Sequence, residues 1–150
     1  MKEGKVLNIL LINDDEDDSF ILNEVSEYFS EKMSFNNAHP ASNIIERLAS
    51  GSLPDLILLD LYMGKINSLD LLKQIRGHRV LKNLPVIIYS SRQHANIVRK
   101  CFDSGATLFV EKPHTYKGIE RMLKKILAMD WEKYKAKSKE HSFILQTEDY

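Results

Sequence analysis

The amino-acid sequence predicts an α/β domain in which helices cover both faces of a parallel sheet. Five strand candidates alternate with five helix candidates from residue 6 to residue 128. Each connection has the length that a right-handed strand–helix–strand crossover needs. The clearest strand candidates are short, uninterrupted apolar runs, which are typical of strands buried on both faces. Together these observations favour a doubly wound, five-stranded parallel sheet.

The strand candidates differ in polarity, and this difference suggests where each lies in the sheet. One segment, residues 34–39, is polar and is closed by Pro40, so we expect it near a sheet edge. The others are apolar runs that end in polar residues, and these are residues 6–12, 56–60, 84–91 and 108–110. Such runs are typical of strands that helices cover on both faces.

The helix candidates carry apolar residues at intervals of three and four positions, which places these residues on one face of each helix. Asp17 or Asp18 is predicted to cap the first helix, where acidic side chains favour the positive end of the helix dipole. The approximate ranges are residues 17–29, 44–49, 68–76, 94–104 and 119–127. Each helix therefore has one face suited to covering the sheet.

The C-terminal residues carry no further strand–helix unit. We expect one domain over residues 1–130, followed at 131–150 by a helical extension or a loose tail that is too short for an output domain. Trp131 could pack this tail onto the domain or belong to a surface for a partner, and the sequence does not choose between the two.

Composition excludes several classes of function. Lysine plus arginine and aspartate plus glutamate number 21 each, so overall charge gives no reason to expect binding to nucleic acid or to an anionic membrane. The single cysteine, Cys101, excludes an internal disulfide and suits the apolar face of its helix. The five histidines lack metal-ligand spacing, and no apolar run reaches membrane length. We therefore expect a soluble cytoplasmic protein.

Polar side chains stand at the carboxyl ends of the predicted strands. These ends meet at one edge of a parallel sheet, where open α/β folds place their chemistry. Two neighbouring carboxylates repel each other, which argues for a hard divalent cation between them, and Mg²⁺ is the natural candidate. The residues concerned are Asn13, Asp14, Asp60, Ser90 and Lys112.

This set of side chains suits the transfer of a phosphoryl group to a carboxylate. Asp60 would be the nucleophile, and the metal and Lys112 would neutralise the phosphoryl oxygens. Ser90 would donate a hydrogen bond to one of these oxygens. An aspartate is already ionised at neutral pH, so no general base is required.

With these residues in this order, the chain resembles the receiver domain of two-component response regulators, of the single-domain chemotaxis-regulator type. The resemblance covers roughly residues 6–128 and is carried by Asp14, Asp60, Ser90-Ser91 and Lys112-Pro113. It implies a flavodoxin-like three-layer sandwich with strand order 2-1-3-4-5. It also implies that a histidine kinase, a phosphotransfer protein or a small phosphodonor phosphorylates Asp60, with Mg²⁺ bound by Asp14, Asp60 and the backbone carbonyl of Tyr62.

The resemblance further implies a conformational switch. Ser90 would move toward the phosphoryl group, and Phe109, on the fifth strand, would turn inward. A downstream protein would then bind the face formed by the fourth helix, fifth strand and fifth helix. A cis peptide bond between Lys112 and Pro113 would direct the lysine into the site. The chain itself is expected to be a monomer or a weak homodimer.

Three positions depart from the family pattern. Asn13 stands where an acidic residue is usual, so it would contact the metal only through water and weaken Mg²⁺ binding, although Asp15 or Glu16 could partly replace the missing charge. Gly64 stands where a proline is common and Ser68 where a glycine is common. These two changes are expected to alter the stiffness of the loop without touching the proposed chemistry.

Three hypotheses follow. The first is a phosphoacceptor response regulator, which is not an enzyme beyond slow autodephosphorylation and signals by protein contact. The second is a binding module with the receiver fold and weak or no phosphorylation, because of Asn13. The third is a phosphatase using Asp60, for which the nearby Tyr62 is a poor acid–base group. Simpler interpretations are a solvated helix start for Asp17 and Asp18, a hydroxyl bonded to backbone for Ser90 and a surface side chain for Lys112.

Overall fold

The apolar runs of the sequence form four of the five strands of a parallel sheet. In the computed structural model, which describes residues 4–134 and 143–147, the strand order is β2-β1-β3-β4-β5 and all neighbouring strands are parallel. The predicted fold class and order are therefore confirmed. The strands are β1 (Leu7–Ile12), β2 (Met33–Ala38), β3 (Leu56–Asp60), β4 (Val86–Ser90) and β5 (Leu108–Glu111).

Helices cover both faces of this sheet, as the spacing of their apolar residues predicts. Two of them, α1 and α5, pack on one face, and the other three pack on the opposite face. Successive residues of β3 alternate between the two apolar clusters, because side chains of a strand point alternately to either face. The helices are α1 (Glu16–Ser26), α2 (Ile44–Ser50), α3 (Ser68–Gly77), α4 (Ala95–Asp103) and α5 (Tyr116–Ala128). A 3-10 turn, Glu27–Phe29, follows α1.

The first helix begins at Glu16, before both of the residues predicted to cap it, Asp17 and Asp18. Asp15 is the N-cap, and its carboxylate accepts hydrogen bonds from the backbone N–H groups of Asp17 and Asp18 at 3.0 and 3.2 Å. The prediction that Asp17 or Asp18 caps the helix is therefore wrong. Because Asp15 satisfies these N–H groups, the carboxylate of Asp18 is available for another contact.

The segment after β3 forms a small hairpin where the sequence predicted only a loop. Tyr62–Met63 pairs antiparallel with Ile66–Asn67. Gly64 turns the chain with φ of +53°, a left-handed conformation that glycine adopts without strain. A side chain at this position would also bring its Cβ within 3.2 Å of Oδ2 of Asp14.

The chain packs back onto the domain after α5. Trp131 is buried, and its indole N–H donates to the carbonyl of Ile126 at 2.9 Å. Of the two alternatives for Trp131, the structure thus shows packing onto the domain. A 3-10 turn (Trp131–Tyr134) is the helical part of the predicted extension, and residues 143–147 lie beside β5. Residues 135–142 and 148–150 of that extension lie outside the described residues.

Across the described chain, every helix is too short or too polar to cross a lipid bilayer.

Candidate functional site

Asp60 lies at the carboxyl end of the central strand β3 and is almost completely buried, with 2% of its surface exposed. Its Oδ2 lies 3.0 Å from Nζ of Lys112, and its Oδ1 accepts a hydrogen bond from the backbone N–H of Tyr62 at 3.2 Å. Burial raises the pKa of this carboxyl, although Lys112 and the Tyr62 amide oppose the rise. Asp60 is therefore a buried carboxylate, and Lys112 is the one cation bonded to it among the described residues.

Lys112 follows β5 directly and reaches across β4 to Asp60. Its ammonium group bonds both Asp60 and Asp18 and lies 5.3 Å from the centre of the Tyr89 ring. Burial lowers the pKa of Lys112, but the two carboxylates outweigh this effect and the net shift is upward. The lysine is thus held as a cation at neutral pH.

The backbone at Lys112 differs from its prediction. The Lys112–Pro113 peptide is trans, so the predicted cis bond is wrong. The backbone N–H of Lys112 donates to the carbonyl of Ser90 at 2.6 Å. This bond continues the pairing of β5 with β4 one residue past the strand. The Lys112 side chain reaches Asp60 from this position.

Asp18 is a site residue that the sequence did not identify. It was interpreted as part of a solvated helix start, and this interpretation is wrong because its carboxylate is half-buried and bonded to Lys112. Asp17 is exposed, as that interpretation expects. A usable signal was the position of Asp18 in the first turn of a helix that starts at the same sheet edge as Asp60.

Asn13 is buried, and both the oxygen and the nitrogen of its side-chain amide form hydrogen bonds. Its Oδ1 accepts a hydrogen bond from the hydroxyl of Ser19 at 2.8 Å, and its Nδ2 donates to the carbonyl of Asp15 at 3.0 Å. The side chain thereby fixes the chain between β1 and α1. Ser19 was not singled out from the sequence, because its role depends on facing Asn13 across the first turn of the helix.

Asp14 is exposed and lies beside the turn at Gly64. Among the described residues its carboxylate makes no hydrogen bond or ion pair. Residues 4–134 and 143–147 contain no cluster of three metal-binding side chains from His, Cys, Asp and Glu. A cation here would be bound by few carboxylates, which suits Mg²⁺ because this ion keeps several water ligands.

The charges at this sheet edge support a cation of that kind. Asp14, Asp18 and Asp60 lie at this edge without forming a cluster of three, and Lys112 is the one cation bonded to any of them within the described residues. The excess of negative charge attracts a divalent cation. The oxygen donors of Asp14 and Asp60 and the carbonyl of Tyr62 match the preference of Mg²⁺ for hard ligands. The donor chemistry of these residues therefore fits this metal.

Ser90 is fully buried at the end of β4, and its hydroxyl is bonded to backbone. It donates to the carbonyl of Arg92 at 2.9 Å and is within 3.2 Å of the N–H of the same residue. The structure thus shows Ser90 as a hydroxyl bonded to backbone, which was the simpler interpretation of this residue. To bind a phosphoryl oxygen, the hydroxyl would have to leave Arg92.

Ser68 contacts the backbone of Asp60, a contact that the sequence did not predict. Its buried hydroxyl donates to the backbone carbonyl of Asp60 at 2.5 Å. Ser68 is also the first residue of α3. The bond therefore ties the start of this helix to the residue that carries the central carboxylate.

Phe109 is fully buried in β5, with its ring in the apolar cluster under α2, α3 and α4. The Phe109 side chain thus already lies in the inward position to which the switch was expected to turn it. Its backbone N–H and carbonyl point to the outer edge of the sheet and bond residues 143 and 145.

Comparison with known proteins shows the family of the chain. The family model described as response regulator receiver domain matches residues 9–125. The two-component response regulator ORR6 of Oryza sativa subsp. japonica is 26% identical over 122 residues, which are 80% of this chain and 71% of that protein. The two-component response regulator-like PRR37 of Oryza sativa subsp. indica is 28% identical over 112 residues, which are 74% of this chain but 15% of that protein.

Solved structures share the fold. The response regulator RPA3017 in red light signaling of R. palustris superposes with a TM-score of 0.73 at 18% identity, covering 81% of this chain and 91% of that one. The phosphorylated cyanobacterial phytochrome response regulator RcpA gives a TM-score of 0.71 at 22% identity, with the same two coverages. Because both sequence identities are below 25%, the similarity to these two structures is a similarity of fold alone.

Proposed function

Because the chain belongs to the response regulator receiver domain family of two-component signalling, we propose that it accepts a phosphoryl group on Asp60 and signals by contact with another protein. The observation that carries this proposal is the pair formed by the buried Asp60 carboxylate and the Lys112 ammonium at 3.0 Å. Their position at the carboxyl edge of a parallel sheet is where open α/β folds bind ligands.

The proposed step exchanges one phosphorus–oxygen or phosphorus–nitrogen bond for another. A carboxylate oxygen of Asp60 attacks phosphorus, and the bond to the donor breaks. The donor, a histidine imidazole of a kinase or phosphotransfer protein or the carboxylate of a small acyl phosphate, takes the electron pair. Lys112 lies close enough to balance the added negative charge on the phosphoryl oxygens.

A magnesium ion is part of this proposal. Asp14, Asp60 and the backbone carbonyl of Tyr62 would bind it, with Asn13 contributing through water. When bound, Mg²⁺ screens the charge of the phosphoryl oxygens. The protein's own residues do the rest: Asp15 and Ser19 hold Asn13, and the glycine at position 64 leaves space beside Asp14.

The switch is proposed for Ser90 and Phe109. Ser90 would exchange its bond to the Arg92 carbonyl for a bond to the phosphoryl group, and the β4–α4 segment would follow. Phe109 lies on the neighbouring strand, opposite Ile88 of β4. A shift at this position would reach the face formed by α4, β5 and α5, where we propose that the downstream protein binds.

Weak phosphorylation is the second candidate function, and Asn13 is the observation that favours it. Its amide is buried and neutral, so it supplies no charge to a metal. The half-buried Asp18 adds to this case because it shares Lys112 with Asp60. Both features would lower the rate of phosphoryl transfer without changing the fold.

Phosphorylation with a small acyl phosphate tests both candidates. Wild-type protein with Mg²⁺ should gain one acid-labile phosphoryl group, and Asp60→Asn should gain none. Asp70→Asn is a matched control, because Asp70 is an exposed aspartate in α3. Label that persists in Asp60→Asn would exclude Asp60 as the acceptor. No label in the wild type, together with label in Asn13→Asp, would favour the second candidate.

A further inference from the structure

The outer edge of β5 is paired with residues near the C-terminus. The backbone N–H of Phe109 donates to the carbonyl of Phe143 at 2.9 Å, and the N–H of Leu145 donates to the carbonyl of Phe109 at 2.9 Å. Ile144 lies opposite Phe109 as a parallel bridge. These are the two bonds that one residue makes with an added parallel strand. Residues 143–147, here called the C-terminal strand, therefore lie along the outer edge of β5 and pair with it through the bridge at Ile144.

Side chains of the C-terminal strand contact helices on both sides of this edge. Phe143 packs edge-to-face on Phe102 of α4, with 5.3 Å between the ring centres. Leu145 packs on the opposite apolar cluster, which α1 and α5 cover. Lys125 of α5 donates to the backbone carbonyl of Gln146. Phe143 and Leu145 are two positions apart, so a regular strand would point both to the same face. Their packing on opposite clusters reflects the bend at Phe143, and Ile144 is the residue that bridges to β5.

This arrangement has the features of a peptide-binding edge. Recognition by strand addition uses main-chain hydrogen bonds for affinity and alternate side-chain contacts for selectivity. Here Phe109 supplies the donor and the acceptor, and Phe102 supplies the aromatic contact. A groove of about 550 Å³ continues beside Phe143 along α4 and is lined by Val98 and Phe102.

We propose that the edge of β5 between α4 and α5 is a strand-acceptor site, and that the C-terminal strand of the same molecule occupies it. The site accepts an extended segment with an aromatic residue followed two positions later by an aliphatic residue. While the C-terminal strand is bound, other strands are excluded from this edge. This inference does not depend on phosphorylation of Asp60.

The consequence concerns any partner that binds this face. A partner that adds its own strand to β5 has to displace residues 143–147. An intramolecular competitor acts at a high effective concentration, so displacement requires either tight binding or a change at Phe109 that weakens both backbone bonds. The C-terminal strand would thus protect the sheet edge from unselective pairing with other chains.

Amide hydrogen exchange on the full-length protein tests occupancy of the edge. The Phe109 amide should be protected at least tenfold over an unbonded amide, and dilution should not change this protection. The Lys112 amide, which bonds Ser90, is the internal reference for an intact sheet. Rapid exchange at Phe109 in the wild type would overturn the proposal. Protection lost on dilution would assign the strand to a second copy and would also overturn it.

Two full-length variants and a peptide test the acceptor site itself. Leu145→Pro removes the N–H that bonds Phe109, whereas Leu145→Ala keeps it. A fluorescent peptide of residues 143–150 should bind Leu145→Pro at least tenfold more tightly than wild type, with Leu145→Ala closer to wild type. The same peptide with an N-methyl group at Leu145 should not bind. Equal binding to all three proteins, or equal binding by the methylated peptide, would contradict the proposal. Loss of protection of the Lys112 amide in Leu145→Pro would mean that this variant does not keep the sheet intact. In that case the peptide is added at saturation to the wild type, where it should compete for the edge of β5. Unchanged exchange of the Phe109 amide would then contradict the proposal.

Discussion

Nζ of Lys112 lies 3.0 Å from Oδ2 of Asp60, although β4 separates the strands that carry these residues. The lysine side chain crosses above Tyr89, which is the β4 neighbour of Asp60. Tyr89 is buried, and burial together with the nearby Asp18 and Asp60 raises the pKa of its phenol. The neutral ring of Tyr89 thus lies beneath the contact between the Lys112 ammonium and the Asp60 carboxylate.

Asp18→Asn should speed phosphorylation. Asp18 shares the ammonium group of Lys112 and adds negative charge that repels an incoming phosphoryl group. We expect the initial rate of labelling to rise about fivefold, which corresponds to roughly 1 kcal/mol of barrier. Asp17→Asn is the control, because Asp17 is exposed in the same helical turn and should leave the rate unchanged. A rate in Asp18→Asn at or below that of the control would mean that Asp18 assists the site.

Asp60→Asn should stabilise the protein at neutral pH. Burial raises the pKa of Asp60, so the folded protein binds this proton more tightly than the unfolded chain, and stability is lost as pH rises through the folded pKa. The neutral amide avoids this loss and should therefore raise the free energy of unfolding at pH 7. Urea unfolding should show a higher midpoint at pH 7, and the gain should disappear as pH falls toward 3.8, the ordinary value for this carboxyl. A gain independent of pH would contradict the explanation.

The centre of the site could be predicted because it follows from strand ends. Apolar runs that stop at Asp60 and before Lys112 identify buried strands, and parallel strands bring their carboxyl ends together. Asp18 could not be separated from its acidic neighbours, because the side chain that faces the sheet edge depends on which residue caps α1. The cap, Asp15, is set by hydrogen bonds that the composition of this acidic stretch does not reveal.

The C-terminal strand was missed for a related reason. Residues 143–147 are five residues long, and so short a segment gives little pattern of its own. Its partner is the outer edge of β5, which exists only once the strand order places β5 last. The apolar run Phe143-Ile144-Leu145 was the available signal.

Asn13→Asp should raise metal affinity and reduce stability. The new carboxylate adds charge at the proposed metal site, so half-maximal labelling should need about tenfold less Mg²⁺. The change also removes the donor to the Asp15 carbonyl, which should cost roughly 1 kcal/mol without metal. Labelling across a Mg²⁺ series and urea unfolding with chelator measure the two effects. An unchanged Mg²⁺ requirement would remove Asn13 as the cause of weak phosphorylation.

Ser90→Ala should separate phosphorylation from the switch. The variant keeps Asp60 and Lys112, so labelling should persist at a rate reduced by about tenfold or less. Labelling should change amide exchange at Phe109 in the wild type but not in Ser90→Ala, because the alanine has no hydroxyl to bond the phosphoryl group. Ser91→Ala, at an exposed neighbouring position, should behave as wild type. The same exchange response in Ser90→Ala and wild type would exclude Ser90 from the switch.

Locating the phosphoryl group tests the central claim most directly. Protein incubated with a small acyl phosphate and Mg²⁺ can be reduced with borohydride, which converts an aspartyl phosphate to homoserine, and the converted residue is then identified by peptide mass spectrometry. We predict conversion at position 60 alone, and none when Mg²⁺ is removed with a chelator. Conversion at another aspartate, or conversion at position 60 that does not depend on Mg²⁺, would contradict the account.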